Sequence, residues 1–290
     1  MMELDYRRPE SLKEALRILS EFGKEARILA GGTDLLVQLR EGMDRWQDLR
    51  LLVDISHIKE LRYIREEEGI VRIGALVTHT DLEKSSLLRE AAPFLCKAAF
   101  QVGSPQIRNR GTIGGSISNA SPAADPVPPL IALGAEALLK SLEGERRLPL
   151  QDIYSGSGET VLDPGEILAE ISFPRLPKGA RSAFVKLGRR KALAISRLNL
   201  GVIALQDQEG SVQELRIAPG CIFATPDRVR EAEGVLLGKV PTPSLLEEAG
   251  LKVTDEMIRR TGIRWSTEFK KPALEALVRR ALGEVLEVRE

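Results

Sequence analysis

The segment that most constrains this chain is residues 111–121. Its 11 residues hold three glycines, four serine or threonine side chains and one asparagine. This composition offers little apolar surface to a packed core, but it suits a loop that approaches a polar, phosphate-bearing ligand through backbone amides. Asp125 follows closely, and its carboxylate can accept hydrogen bonds from ligand hydroxyls. A solvated or purely structural loop is the alternative interpretation.

A shorter glycine turn lies about 80 residues earlier. Residues 26–30 form an apolar strand pattern that leads into Gly31, Gly32, Thr33 and Asp34, and residues 35–40 then have helical spacing. Glycine lets a backbone come close to a ligand, and free amides at such a turn attract phosphate oxygens. We interpret Asp34 as a helix cap or a contact to a ligand hydroxyl. An ordinary left-handed turn after a strand is the alternative.

Several classes of protein are excluded by composition and motif. There is no G-x-G-x-x-G turn and no G-x-x-x-x-G-K-[ST] loop, so neither a Rossmann nor a P-loop site is indicated. Basic and acidic residues balance at 42 each, which gives no overall field to gather nucleic acid or an anionic membrane. Cys96 and Cys221 are isolated, so they form neither a zinc site nor a complete iron–sulfur ligand set.

The N-terminal residues have no apolar signal-peptide core, and no run of 18 uncharged apolar residues occurs in the sequence. We therefore expect a soluble, cytoplasmic protein without a membrane span. The pattern of strands and helices predicts an α+β chain of three units, residues 1–57, 58–176 and 179–290, with Pro174, Pro177 and Gly179 at the second boundary.

The strongest local signals are as follows. In the first unit, Ser11 and Glu14 predict a capping box for a helix that ends at Gly23. In the second, residues 70–73, 75–77, 135–140 and 167–173 predict strands. Thr80 or Asp81 is expected to cap a helix that Pro93 interrupts or ends. In the third, residues 183–187, 200–206 and 212–217 predict a three-stranded antiparallel sheet with three helices on one face.

The two glycine motifs together resemble the paired flavin motifs of the FAD-binding (medium) subunits of molybdenum hydroxylases, the xanthine dehydrogenase and carbon monoxide dehydrogenase type. The resemblance spans nearly the whole chain. It rests on the pairing and separation of residues 30–35 and 111–116, and continues at residues 165–168, 183–186, 217–220, 224–226 and 264–266.

This resemblance implies an FAD-binding fold of the vanillyl alcohol oxidase and MurB (PCMH) type, followed by a small α+β C-terminal domain. FAD is expected to be noncovalent. Molybdopterin and [2Fe–2S] clusters are expected only in partner subunits, a large and a small one, within a higher-order heteromer. The chain would take electrons from the clusters of the small subunit and deliver them to an external acceptor.

Carried over by position, the resemblance implies two sets of cofactor-binding residues and assigns no catalytic or metal-binding residue. The first set would wrap the pyrophosphate: Ile28, Leu29, Ala30, Gly31, Gly32, Thr33, Asp34 and Leu35. The second would hold the phosphate, ribityl and flavin region: Gly111, Thr112, Ile113, Gly114, Gly115, Ser116 and Asn119. Asp125 would bind the adenosine or ribityl side, and Leu168 would pack on the cofactor.

Lys186 would face the flavin, where a cation favours the reduced cofactor. It lies in a basic stretch with Arg189, Arg190 and Lys191, so a solvated lysine is the alternative. Some relatives place a tyrosine after this lysine, whereas this chain has the segment 192–195, Ala-Leu-Ala-Ile. FAD is expected over FMN, because only a dinucleotide would be long enough to reach two separated loops.

A self-sufficient FAD-dependent oxidase or reductase of the same fold is the competing function. It would need a base or a covalent anchor near the flavin, and only His79 stands near either motif. We interpret His57 and His79 as structural residues. A nucleotide-binding module without enzymatic activity is the third alternative, and a yellow colour of the purified protein would exclude it.

Overall fold

The computed structural model describes residues 4–190 and 193–288. The predictions for Lys191 and Ala192 lie outside these residues. Three hydrophobic cores organise the chain, one beneath the N-terminal sheet, a larger one in the middle unit and one in the C-terminal unit. No helix in the described ranges has the length and apolar character that would let it cross a membrane.

The N-terminal unit is a three-stranded parallel sheet with strand order β1-β3-β2. Its central strand is apolar and buried, as is typical of a parallel strand covered on both faces. The predicted cap is confirmed, since the Ser11 hydroxyl accepts from the Glu14 amide, although the Glu14 carboxylate accepts from the Glu10 amide. The elements are β1 (Asp5–Arg7), α1 (Leu12–Phe22), β2 (Ala26–Leu29), α2 (Leu35–Arg40) and β3 (Leu51–Asp54).

The middle unit contains a five-stranded antiparallel sheet with the order β4-β5-β10-β6-β7. The sequence pattern predicted its three inner strands but missed β4 and β7, which lie at the edges and carry charged residues, as edge strands commonly do. Its strands, with the small hairpin β8–β9, are β4 (Ile64–Glu67), β5 (Ile70–Gly74), β6 (Glu136–Lys140), β7 (Glu145–Pro149), β8 (Tyr154–Gly156), β9 (Glu159–Thr160) and β10 (Ile167–Pro174).

Three local predictions for this unit were wrong. Thr78, not Thr80 or Asp81, is the cap of the first helix, and Asp81 completes its capping box from the third helical position. Pro93 begins a helix, because the missing amide of proline is harmless at the first position. Residues 75–77 are not a strand. The helices are α3 (His79–Lys84), α4 (Ser86–Ala91), α5 (Pro93–Phe100), α6 (Pro105–Arg108), α7 (Ile113–Ser118) and α8 (Val127–Leu133).

The C-terminal unit has the predicted three-stranded antiparallel sheet, in the order β11-β12-β13, with three helices on one face. Its other face packs on the middle unit, where Phe184, Ile203 and Ala218 join the larger core. The elements are β11 (Arg181–Gly188), β12 (Ser196–Gln206), β13 (Val212–Gly220), α9 (Arg230–Leu236), α10 (Pro243–Thr261) and α11 (Thr267–Leu286).

The two-sided burial of this sheet decides where Lys186 points. Side chains alternate between the faces of a strand. Ala183 and Val185 belong to the helix-covered core, whereas Phe184 belongs to the core of the middle unit. Lys186 therefore faces the middle unit. At Gly201 the approach of α8 is so close that a Cβ would lie 2.8 Å from the Pro129 nitrogen.

Candidate functional site

A cavity of about 720 Å³ opens between the N-terminal unit, the middle unit and the start of β12. This volume lies within the roughly 300–1,000 Å³ typical of ligand and cofactor pockets. All the predicted cofactor residues line the cavity except Leu29, Ile113 and Lys186. Leu29 lies against the turn at Gly32, and Ile113 is fully buried in the core.

Loop A, residues 30–35, forms one wall. Gly32 has a φ of 74°, a left-handed conformation that favours glycine. Asp34 precedes α2 but makes no side-chain cap, so the predicted capping role is not seen, and its carboxylate accepts a hydrogen bond of 3.3 Å from the Thr33 hydroxyl. The backbone amides of residues 31–35 donate to no residue within the described part of the chain. Unpaired amides in succession make a concave site for anions.

Segment B, residues 111–119, forms the facing wall and is built differently. Much of it is the short helix α7, capped by the Thr112 hydroxyl, which accepts from the Gly115 amide at 3.1 Å. The amides of Ile113 and Gly114 donate to the carbonyls of Val77 and Ala75, each at 2.9 Å. The loop predicted to bind a ligand through its amides therefore uses most of them internally.

The glycines of segment B have separate roles. A Cβ on Gly114 would lie 2.6 Å from the Cβ of Ala75, so this glycine permits close packing. A Cβ on Gly115 would meet only the Thr112 hydroxyl within 4 Å and otherwise open space. Since Gly115 lines the cavity, a larger side chain there would occupy space available to a ligand.

Loop A and segment B touch each other. A Cβ on Gly31 would overlap the carbonyl oxygen of Arg110, and the Gln38 amide donates to Asn119 Oδ1 at 3.0 Å. Separation of the two loops is therefore no argument for a dinucleotide. The extent of the cavity supplies a better one, because its lining also includes Trp46 and Asp48 on the side of the N-terminal unit and residues 193–196 on the side of the C-terminal unit.

A buried group of charged and polar residues, which we call the Asp125 cluster, backs one end of the cavity. Asp125 lines the cavity, and its carboxylate accepts from Lys186 Nζ at 2.5 Å, Ser196 Oγ at 2.6 Å and Asn199 Nδ2 at 3.0 Å. Lys186 also donates to the Gln101 carbonyl at 2.9 Å. Lys186 thus lies behind Asp125, and the solvated alternative is wrong, because its side chain is 8% exposed.

Cys221 adjoins the same cluster without joining its ion pair. Its thiol lies 3.8 Å from Asn199 Oδ1, and burial, reinforced by the charge of Asp125, raises its pKa to about 12. The thiol is therefore protonated at neutral pH. Within the described ranges, no three His, Cys, Asp or Glu side chains converge as a metal site would require.

Sequence reasoning missed much of the cavity wall, including Trp46, Asp48 and, around the β8–β9 hairpin, Gly158, Thr160 and Leu162. Leu193, Ala194 and Ile195 also line it, and only the tyrosine that some relatives place in this segment drew attention to them. His79 also lines it, although its position between the strand-like residues and α3 suggested a structural role. Burial, with a smaller contribution from the positive charge of Arg108, lowers the pKa of His79 to about 4.

Two subdomains line one cavity, one with a glycine turn whose amides have no partner among the described residues and the other with a glycine-bearing helix. This arrangement is that of a protein that binds a nucleotide cofactor. Residues 2–176 match the family model "FAD binding domain in molybdopterin dehydrogenase", and residues 183–285 match "CO dehydrogenase flavoprotein C-terminal domain". The chain belongs to this family of FAD-binding subunits of molybdopterin dehydrogenases. It is an oxidoreductase flavoprotein, and its cofactor is FAD.

Similar proteins agree over the full length. The nicotinate dehydrogenase FAD-subunit of Eubacterium barkeri is 35% identical over 294 residues, covering 100% of this chain and 98% of that subunit. The xanthine dehydrogenase FAD-binding subunit of Escherichia coli O157:H7 is 34% identical, covering 97% and 95%. A carbon monoxide dehydrogenase structure from Hydrogenophaga pseudoflava matches with a TM-score of 0.91 and 31% identity, covering 99% of this chain and 98% of the matched one.

Proposed function

We propose that this chain is the electron-transfer subunit of a molybdopterin-dependent dehydrogenase, with its FAD held in the cavity between loop A and segment B. In this proposal electrons arrive from [2Fe–2S] clusters of a small partner subunit, after substrate oxidation in a large molybdopterin subunit, and leave to an external acceptor. Support comes from relatives named as FAD-subunits or medium chains of nicotinate, xanthine and carbon monoxide dehydrogenases.

The observation that carries the location of FAD is the run of amides at residues 31–35, which donate to no described residue and belong to a loop that lines the cavity. Successive unpaired backbone N–H groups at a glycine turn form a concave anion site, so this run on a cavity wall favours an acceptor-rich ligand. The two phosphates of FAD are such a group. The Thr33 hydroxyl lines the same wall, and it would become a side-chain donor to the ligand by exchanging its 3.3 Å hydrogen bond to Asp34.

The residues at the other end of the cavity supply apolar cover and charge. Leu168 and Ile195 provide apolar surface, and Asp125 brings a carboxylate that is compensated by Lys186. Bound FAD would supply the chemistry of accepting and releasing electrons. The protein would hold the cofactor, exclude water from part of it and set the local electrostatic field.

The imidazole of His79 is the nitrogen base that the competing function, a self-sufficient oxidase, would need near the flavin. With a pKa of about 4 it is neutral at physiological pH, but it is 3% exposed and enclosed at the junction of loop A and segment B. A general base must reach the proton it removes. The position of His79 favours contact with the cofactor over contact with a substrate.

The test begins with a tagged chain purified from its own cells, whose flavin is released by acid and separated by chromatography. Stoichiometric FAD is expected, accompanied by two further subunits that contain molybdenum and iron. Electron flow is then followed by anaerobic rapid mixing of this complex with substrate, where iron–sulfur bleaching should precede flavin bleaching. Isolation of the chain alone, with substrate turnover that needs neither metal, would contradict the proposal.

A further inference from the structure

We propose that His79 is a hydrogen-bond donor to the pyrophosphate of bound FAD. This inference rests on the proposed location of FAD in the cavity. It starts from the position of the ring at the point where loop A and segment B meet. The His79 amide donates to the Gly111 carbonyl at 3.0 Å, and a Cβ on Gly111 would lie 3.1 Å from His79 Cδ2. Gly31 of loop A packs on the same stretch, since a Cβ placed on it would lie 3.0 Å from the Gly111 Cα.

The ring is buried and lacks partners. His79 is 3% exposed, and its Nδ1 is enclosed without a hydrogen-bond partner among the described residues. No hydrogen bond to its other ring nitrogen occurs within the described part of the chain either. Because Nδ1 is closed off, Nε2 is the ring nitrogen left to meet a ligand in the cavity that the ring itself lines. Buried polar groups are normally hydrogen-bonded, and such a ligand would provide the partner that Nε2 lacks.

The protonation state determines what the ring can offer. Burial keeps the imidazole neutral at physiological pH, because its pKa is lowered to about 4. A neutral imidazole carries one N–H donor and one acceptor nitrogen. The ring can therefore donate a single hydrogen bond to the cofactor without bringing a fixed charge to the cavity.

The neighbours of the ring indicate which part of FAD it contacts. Around the junction stand the unpaired amides of residues 31–35 and the hydroxyls of Thr33 and Thr112, which line the same cavity. Arg108 lies close enough to influence the His79 pKa, although it is paired with Glu83 at 3.3 Å. The unpaired groups named here are donors, whereas the acidic groups, Asp34 and Glu83, accept from Thr33 and pair with Arg108 respectively. Phosphate oxygens only accept, whereas the flavin ring also presents a donor.

The chain contains only two histidines, so nuclear magnetic resonance can observe His79 directly. The full chain is labelled with ¹⁵N-histidine and titrated with FAD after removal of its flavin. One His79 N–H signal should shift downfield and become protected from exchange with water. His57, which accepts from Arg8 Nε at 3.0 Å and lies outside the cavity, should not change, and His57→Gln assigns the signals.

Affinity and phosphorus spectra give independent measurements. His79→Leu should raise the Kd for FAD about tenfold to a hundredfold, as expected for loss of one hydrogen bond to a charged group. His79→Gln or His79→Asn, which keep an N–H donor, should recover part of the affinity. In wild-type and His79→Leu chains saturated with FAD, a pyrophosphate ³¹P signal should differ in position.

The outcomes separate this inference from the proposed function. Unchanged His79 signals in a chain that binds FAD, or equal Kd values for wild type and His79→Leu, would overturn the role of His79 and leave the FAD site standing. Identical ³¹P spectra with a large loss of affinity would overturn the contact to phosphate. Failure of the wild-type chain to bind FAD would overturn both.

Discussion

Loop A and segment B are both rich in glycine, but they use it in opposite ways. Among the described residues, the amides of residues 31–35 in loop A have no partner, and the helix that follows has no buried residue. The amides of segment B donate to neighbouring carbonyls, and its Ile113 and Ile117 are buried in the core. Loop A is therefore suited to bind an anion through its backbone. Segment B is a rigid wall that leaves room for the cofactor.

The most direct way to break this comparison is to place the same side chain at adjacent glycines of segment B. Gly115→Val should reduce FAD affinity at least a hundredfold, because its side chain enters the open cavity, and should cost only about 1 kcal/mol of stability through displacement of the Thr112 cap. Gly114→Val should instead destabilise the apoprotein by about 3 kcal/mol or more, since the new side chain would overlap Ala75.

Fluorescence titration with FAD measures the affinity of both variants, and thermal unfolding followed by circular dichroism measures their stability. A folded Gly115→Val chain with wild-type affinity would show that segment B does not border the cofactor. A Gly114→Val chain of normal stability would show that this glycine is not required for packing on Ala75.

The contrast between loop A and segment B could be predicted only in part from the sequence. The unusual composition of residues 111–121 marks a site because composition is local, and the apolar alternation of β11 to β13 predicts their sheet for the same reason. The use of the segment B amides was hidden, because their acceptors, Val77 and Ala75, lie more than 30 residues away in the chain. The edge strands β4 and β7 were not predicted, because their charged residues interrupt the apolar alternation that marks a strand.

The partner of Lys186 was likewise beyond local reasoning. Asp125 is 61 residues away, and the two meet only because β11 turns alternate residues towards the middle unit. The assignment of Lys186 to the flavin stays a prediction, and the geometry changes its form, since any effect would be transmitted with Asp125 rather than by an isolated cation. The prediction of a cytoplasmic location also stays untested.

The pH dependence of stability sharpens the description of segment B, because His79 is the titratable side chain enclosed against it. The folded chain keeps His79 neutral down to a pKa of about 4, whereas the unfolded chain takes up the proton near 6.5. Protons therefore bind preferentially to the unfolded chain below pH 6.5. As far as His79 is concerned, the folded chain has its full stability above pH 6.5 and loses stability as the pH falls towards 4. The loss is on the order of 3 kcal/mol for this difference in pKa.

Denaturant unfolding of the apoprotein between pH 7.5 and 4 measures this loss for wild type and His79→Gln, at about half-unit intervals. The carboxylates are common to both chains, so their effects cancel in the difference. Wild type should lose stability relative to the variant as the pH falls. Parallel curves would mean that His79 titrates normally in the folded chain.

The smallest expected effect concerns the end of the cavity beyond both glycine segments, where charge rather than backbone is presented. If FAD extends to Asp125, Lys186→Met leaves this carboxylate uncompensated and should make the flavin harder to reduce. A loss of about 1.4 kcal/mol of interaction corresponds to roughly 30 mV for a two-electron couple. Asp125→Asn should shift the potential upward, and the double variant should lie near wild type because it removes both charges.

Spectroelectrochemical titration measures the midpoint potential of each variant, and the amount of bound FAD controls for folding, since breaking a buried ion pair is itself destabilising. The comparison predicts a division of effects, with glycine substitutions changing affinity and cluster substitutions changing potential. A Lys186→Met chain that retains FAD with an unchanged or higher midpoint would place the flavin away from the Asp125 cluster. The reduction potential would then be set by the polar groups of loop A and segment B.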